Sequence, residues 1–161
     1  MTTTITLRPV QPSDYAPIIR VVNEWWGGRA MSDMLPKLFF VHFQETSFIA
    51  EKDGERVGFL IGFLSQTFPD EAYIHFVGVH PAYRKASVGR MLYERFFETV
   101  RARGRRVVRC VTAPVNQTSI AFHLRMGFVA EPQSTALDGI PYAQDYDGPG
   151  GDRVVFVKRL D

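Results

Sequence analysis

Hydrophobic positions along the chain switch between a period of two and a helical period, and each switch marks an element. Ile5 and Leu7 alternate with polar residues in a short opening strand that Pro9 ends. Ser13, after Pro12, supplies an N-cap for a helix whose apolar stripe carries Ile18, Ile19 and Val22. Trp25-Trp26-Gly27-Gly28 breaks that helix into a loop, and a second short helix is predicted from Asp33 to Phe43. Residues 47–52 and 56–66 read as strands around Asp53-Gly54, a hairpin turn signal. A strand at 72–79 is followed by a helix at 88–103, with Val88, Leu92, Phe96 and Val100 on one stripe. A strand at 106–112, a helix at 117–126 and closing strands at 128–131 and 153–159 complete the pattern. This order predicts a single α/β (α+β) domain over 1–161, a mostly antiparallel mixed sheet with helices on both faces.

Composition narrows the class without naming a function. With 161 residues and 45% of them hydrophobic, the chain can bury the core of one domain. A formal charge of +2 is too small to imply nucleic acid. Arg101, Arg103, Arg105, Arg106 and Arg109 crowd together, but cations finishing a helix at its negative end, with Gly104 as the stop, explain them. Cys110 is the one cysteine, so it makes no internal disulfide and reads as core. No signal peptide, lipidation signal or run of ~20 apolar residues is seen, which predicts a cytoplasmic protein without a membrane partner. The four histidines lack metal-ligand spacing, and no metal is expected.

The chemistry concentrates in residues 77–92. Val77-Gly78-Val79 ends an apolar strand, His80-Pro81 turns the chain, and Arg84-Lys85-Ala86 leads to a helix opening at Ser87, Val88 and Gly89. The first amides of a helix lack intrahelical acceptors and sit at the positive end of its dipole, so they favour an anion. Arg84, Lys85 and Arg90 add three cations. The stretch predicts a phosphate or pyrophosphate clamp, with an ordinary turn carrying solvated cations as the competing reading.

The same stretch resembles motif A of the GNAT superfamily, the acetyl-CoA-dependent N-acyltransferases. Val79 and Pro81 match its strand-Val-x-Pro, and Arg84 opens its Arg/Gln-x-x-Gly-x-Gly/Ala signature. Ser87 stands where the first glycine is usual, and Gly89 takes the second. Asn116 and Ser119-Ile-Ala-Phe-His-Leu-Arg-Met-Gly-Phe128 resemble the family's next motif, with His123 in place of its tyrosine. The resemblance implies a GNAT-like sheet whose fourth and fifth strands, about 72–79 and 106–112, splay apart to admit acetyl-CoA. It implies that the backbone of Val77, Gly78 and Val79 holds the pantetheine arm, an N–H there polarising the thioester carbonyl. Asn116, besides capping a helix, would touch pantetheine. The implied activity is transfer of an acetyl group to a primary amine of a small molecule, an amino acid or amine metabolite, by a protein that can form a homodimer. Ser87, His123 and the lack of an obvious base keep a non-catalytic acyl-CoA sensor or partner-binding module as the competitor.

Four further sets of residues are candidates for the reaction. Glu71, Tyr73 and His75 share one face of their strand, and an acceptor ammonium must lose a proton to a base or water relay. His123 is placed to protonate or hydrogen-bond the departing thiolate. Trp25 and Trp26 offer an aromatic wall in the loop that roofs the acceptor site in the family, with Arg29 gripping a carboxylate. Leu137 to Asp152 is too long for an idle connection, and its Tyr146 is a candidate lining residue.

Overall fold

The computed structural model describes residues 4–161; the side chains of Lys85 and Ala86, both counted in the clamp, lie outside the described set. Asp53 and Gly54 sit at φ 53° and 75°, the conformation a tight two-residue hairpin turn requires, and join β2 (Phe48–Lys52) to β3 (Glu55–Leu64). β1 (Thr6–Pro9) runs antiparallel to β2, with Thr6 opposite Glu51. The chain forms two compact units, and β4 (Glu71–Val79) contributes to both.

The first unit takes the chain up to Leu64 together with Ile74–Arg103, and its strands are ordered β1-β2-β3-β4. Ile18, Val22 and Trp25 of α1 (Tyr15–Trp25) and Phe40 of α2 (Leu38–His42) form one core with Ile49, Phe59, Ile61 and Phe76. α3 (Val88–Ala102) packs on β2 and β3. A Cβ on Gly58 would lie 2.8 Å from Val88 Cγ1, so the bare backbone is what lets α3 approach. Gly58 and Phe59 alternate along β3, which puts helices on both faces of this part of the sheet.

The second unit comprises Ser65–Tyr73 and Gly104–Asp161. It contains β5 (Val107–Thr112), α4 (Gln117–Arg125), β6 (Val129–Ala130), the hairpin β7 (Thr135–Leu137) and β8 (Ile140–Tyr142), and β9 (Val154–Arg159). Its strands are ordered β4-β5-β9-β6, so seven strands in all build a mixed, mostly antiparallel sheet. β4 and β5 pair in parallel, Glu71–Tyr73 against Val107–Arg109, and β9 lies antiparallel along the whole of β5. The parallel pairing of β4 and β5 is confined to these three residues of each strand.

Four expectations need correction. Ser13 is not the cap of α1: a 3₁₀ turn over Pro12–Asp14 precedes the helix, and Asp14 occupies the capping position. The helix expected over 33–43 is broken into a 3₁₀ turn at Ser32–Met34 and the short α2, because Pro36 cannot continue a helix. The closing strand at 128–131 shrinks to β6, and the connection expected from Leu137 to Asp152 opens within the β7–β8 hairpin. Its turn, Asp138-Gly139 at φ 51° and 80°, repeats the Asp-Gly signal of the first hairpin.

Asp14 ties the start of the first unit together. Fully buried, it accepts from Arg8 at 2.7 and 2.8 Å, from Arg56 Nε at 2.8 Å and from the Gln11 N–H at 2.8 Å. Burial alone would raise its pKa, but the Arg8, Arg56 and Gln11 bonds outweigh burial and lower it to about 2. A carboxylate depressed in the folded state contributes stability that is whole above its unfolded value of 3.8 and lost as pH falls toward 2. That contribution is worth about 2 kcal/mol at neutral pH. The melting temperature of Asp14→Asn should be lower at neutral pH and fall less between about pH 4 and about pH 2; parallel declines would acquit Asp14.

Candidate active site

Two groups of residues carry the candidate chemistry, one in each unit. In the first unit, β4 ends in a 3₁₀ turn over Pro81–Ala86 that His80 caps, its Nδ1 accepting the Ala82 N–H at 3.0 Å. Ser87 follows in the left-handed conformation at φ 62°, the reason a glycine is favoured there. α3 then starts, and the Met91 N–H donates to Ser87 O at 3.0 Å. The Val88, Gly89 and Arg90 amides precede that first helical bond and form the anion-favouring end of a helix of 15 residues. A left-handed residue ahead of a helix start makes a concave run of N–H groups, a fit for phosphate oxygens.

The cations around this junction are partly engaged. Arg84 Nη2 donates to Trp25 O, and Arg90 lies 3.5 Å from Glu94 one helical turn away, both partners exposed. Trp25 is core, stacked on Phe59 and edge-on to His80. Trp26 is half-buried against Phe76, and its indole N–H donates to Val77 O at 3.2 Å, a backbone acceptor expected to serve pantetheine. Arg29 is exposed on the loop after α1. His75 donates from Nε2 to Met34 O at 2.6 Å and stacks on Phe39 at 4.5 Å, which holds the loop before α2. Gly78 is buried, and a Cβ there would meet Phe59 Cε1 at 2.4 Å. The unit's cavity of about 470 Å³ lies apart from the clamp amides, between α1 and the Asp53-Gly54 turn.

In the second unit, Glu71, Tyr73, Arg109, Glu131 and Tyr146 line a cleft of about 300 Å³. Burial pushes the Tyr73 phenol well above its ordinary range, with Tyr146, Cys110 and Asp147 adding to the rise and Arg153 opposing it. Tyr73 therefore remains a hydroxyl at neutral pH, suited to passing a proton on rather than to acting as a free base. The bond to Glu131 raises the Arg109 pKa, with Glu71 adding and burial opposing. Burial raises the Cys110 thiol, which leaves it unreactive. Tyr146 is presented by a turn closed through Ala143 and Arg153, which exchange N–H···O bonds of 2.7 and 3.0 Å.

Asn116 caps α4 as expected, its Oδ1 accepting the Ser119 N–H at 3.1 Å. The helix ends in a Schellman motif: Gly127 sits at φ 92°, its N–H donating to Leu124 O and that of Phe128 to His123 O. His123 itself is buried, its ring stacked on Phe156 at 5.0 Å and 12° and edge-on to Phe128. Nδ1 lies 2.7 Å from Ser119 O, so it carries the proton, and Nε2 is left as an acceptor. Burial lowers the imidazole's pKa, opposed by the Ser119 bond, and keeps it neutral at neutral pH.

In the sequence Arg109 is one of a basic run and Glu131 carries no local signal, so their pairing appears only in the structure. That run disperses: Arg103 pairs with Glu45 at 2.9 Å, and Arg105 donates to the carbonyls of Ser65, Phe68 and Glu71.

Known proteins share both the sequence pattern and the fold. The model of the acetyltransferase (GNAT) family matches residues 14–128. An L-2,4-diaminobutyric acid acetyltransferase of Nocardia farcinica is 31% identical over 118 residues, which cover 73% of this chain and 61% of that protein. Ard1 from Thermoplasma volcanium superposes with a TM-score of 0.78 at 20% identity over 98% of each chain. Diaminobutyrate acetyltransferase EctA of Paenibacillus lautus, solved with L-2,4-diaminobutyric acid and coenzyme A, gives 0.72 at 18% identity over 97% of this chain and 95% of that one.

Proposed function

The chain belongs to the GNAT family of acetyltransferases, and on that footing we propose that it transfers an acetyl group from acetyl-CoA to a primary amine of a small molecule, an amino acid or amine metabolite. The observation that carries the cosubstrate reading is the Ser87 to Arg90 junction, where a left-handed residue leads into the open first turn of α3. The relatives named for diaminobutyrate support a small amine as acceptor.

Acetyl-CoA, when bound, supplies an activated thioester carbonyl. The amides of Val88, Gly89 and Arg90 would hold its phosphates, with Arg84 and Arg90 adding charge. The backbone of Val77 to Val79 would receive the pantetheine arm, and Trp26 would then release the Val77 carbonyl. An alkyl ammonium with a pKa near ~10.4 must shed a proton before attack. Tyr73, kept as a hydroxyl, suits a water relay for that proton.

Thiol release from acetyl-CoA across a panel of primary amines tests this reading, and failure of the chain to bind acetyl-CoA would sink it. Tight binding without turnover would instead favour an acyl-CoA sensor. Gly89→Leu is expected to raise KM for acetyl-CoA about tenfold or more, through roughly 1.4 kcal/mol of lost anion contact. KM for the amine should barely move. Equal changes in both constants would refute the clamp.

A further inference from the structure

The second unit's cleft has a charge pattern that acetyl transfer as such does not require. Arg109 Nε donates to Glu71 Oε1 at 2.9 Å, and its Nη1 donates to Glu131 Oε1 at 2.7 Å. Two carboxylates share one guanidinium, which leaves the trio with an excess negative charge. The Oε2 atom of each glutamate accepts no hydrogen bond from a described residue, and both side chains are partly open to solvent. The neighbouring Asp147 and Arg153 pair at 2.8 Å and cancel. The rest of the lining is Phe68, Tyr73, Cys110, Val111, Tyr146 and Val155, so rings and aliphatic groups surround the trio.

A void of about 300 Å³ is at the small end for ligand sites, suited to a metabolite rather than a peptide. Carboxylate oxygens set among rings and methyl groups suit an alkylammonium. In such a ligand the charge would meet Glu71 and Glu131, the methylenes would lie on Val111 and Phe68, and the phenol faces would attract the cation. An acceptor carboxylate finds no such partner, because Arg109 is already matched by two anions.

We propose that this cleft holds a second, non-reacting ammonium group of the acceptor, so that an aliphatic diamine is preferred over a monoamine of the same length. Glu71 and Glu131 are the specificity residues, and Arg109 sets their spacing. The proposal rests on the acetyl-transfer reading but concerns binding, which is measurable without turnover.

The test titrates the full chain calorimetrically with 1,4-diaminobutane and with butylamine, and measures kcat/KM for the same two amines with acetyl-CoA. The diamine should bind at least about tenfold tighter at low salt, and that margin should shrink severalfold at high salt. Glu131→Gln should cut the diamine-to-monoamine ratio at least threefold with a melting temperature close to that of the parent. Equal binding of the two amines by the unaltered protein overturns the proposal, and that comparison needs no variant to fold. A ratio untouched by both Glu131→Gln and Glu71→Gln overturns it as well. Failure of acetyl transfer with every amine would remove the enzymatic reading alone, since salt-sensitive diamine binding would still establish the cleft. Turnover of both amines at equal kcat/KM would do the reverse.

Discussion

Replacing Gly78 with valine should lower the melting temperature by about 6–12 °C, the largest loss expected from any single added side chain in β4. A Cβ at this position would lie 2.4 Å from Phe59 Cε1 and 2.8 Å from Cζ, well inside van der Waals contact. Phe59 has nowhere to go. It is fully buried, stacked on Trp25 at 6.2 Å and on Phe76 at 5.7 Å, within the core shared by α1 and α2. Overpacking of this kind costs about 1–3 kcal/mol, and a branched side chain against a locked ring belongs at the upper end. For a chain of this length, roughly 2–4 °C accompanies each kcal/mol. Calorimetric or circular-dichroism melting checks the figure, and an unchanged midpoint would show that the ring has room to move. The same substitution separates two roles for this glycine. If it serves packing alone, the folded fraction of Gly78→Val should bind acetyl-CoA as the parent does. If it also admits pantetheine to the strand, affinity falls in that fraction too.

What the sequence disclosed was local. The stripe of Val88, Leu92, Phe96 and Val100 placed α3 to within a residue at its C-terminal end, and Gly104 marked its stop at φ 80°. Asn116 announced the start of α4 because capping chemistry lies within a few residues of the helix it serves, and the same holds for Gly127 at its end, where the structure shows the cap. The clamp region was legible for the same reason, as a strand, a turn and a helix start in one run of chain. Pro36 and Asp138-Gly139 are equally local signals, one ending a helix and the other turning a hairpin. The trio of Glu71, Arg109 and Glu131 was beyond reach, because 38 and 22 residues separate its bonded pairs and only the register of β4 against β5 brings Glu71 near Arg109. Arg56 likewise reaches Asp14 across 42 residues, so a buried carboxylate reads in sequence as an ordinary helix-start aspartate. Pairing across a sheet is set by many residues at once, and a linear reading sees none of it.

His123 shows how burial bears on an expectation drawn from a motif. Standing where the family has a tyrosine, it invites the role of proton donor to the departing thiolate. Its surroundings argue otherwise. Nδ1–H is committed to Ser119 O at 2.7 Å, Nε2 can only accept while the ring is neutral, and burial disfavours the imidazolium. Packing is the better-supported role, so His123→Ala should lose about 3 kcal/mol through the cavity left against Phe156 and Phe128, or about 6–12 °C in melting temperature. His123→Phe should recover most of that loss, because it keeps the ring on Phe156. A histidine whose pKa is lowered on folding gives stability that is whole above its unfolded value of 6.5 and declines as pH falls below it. His123→Phe should therefore flatten the melting curve over that acidic range, which a purely chemical role would not demand. Turnover per folded molecule decides the rest. A folded His123→Phe with near-parental kcat ends the proton-donor role, since phenylalanine can neither donate nor accept. A drop of about 10²-fold with the melting temperature restored would mean that the imidazole acts on the reacting atoms after all.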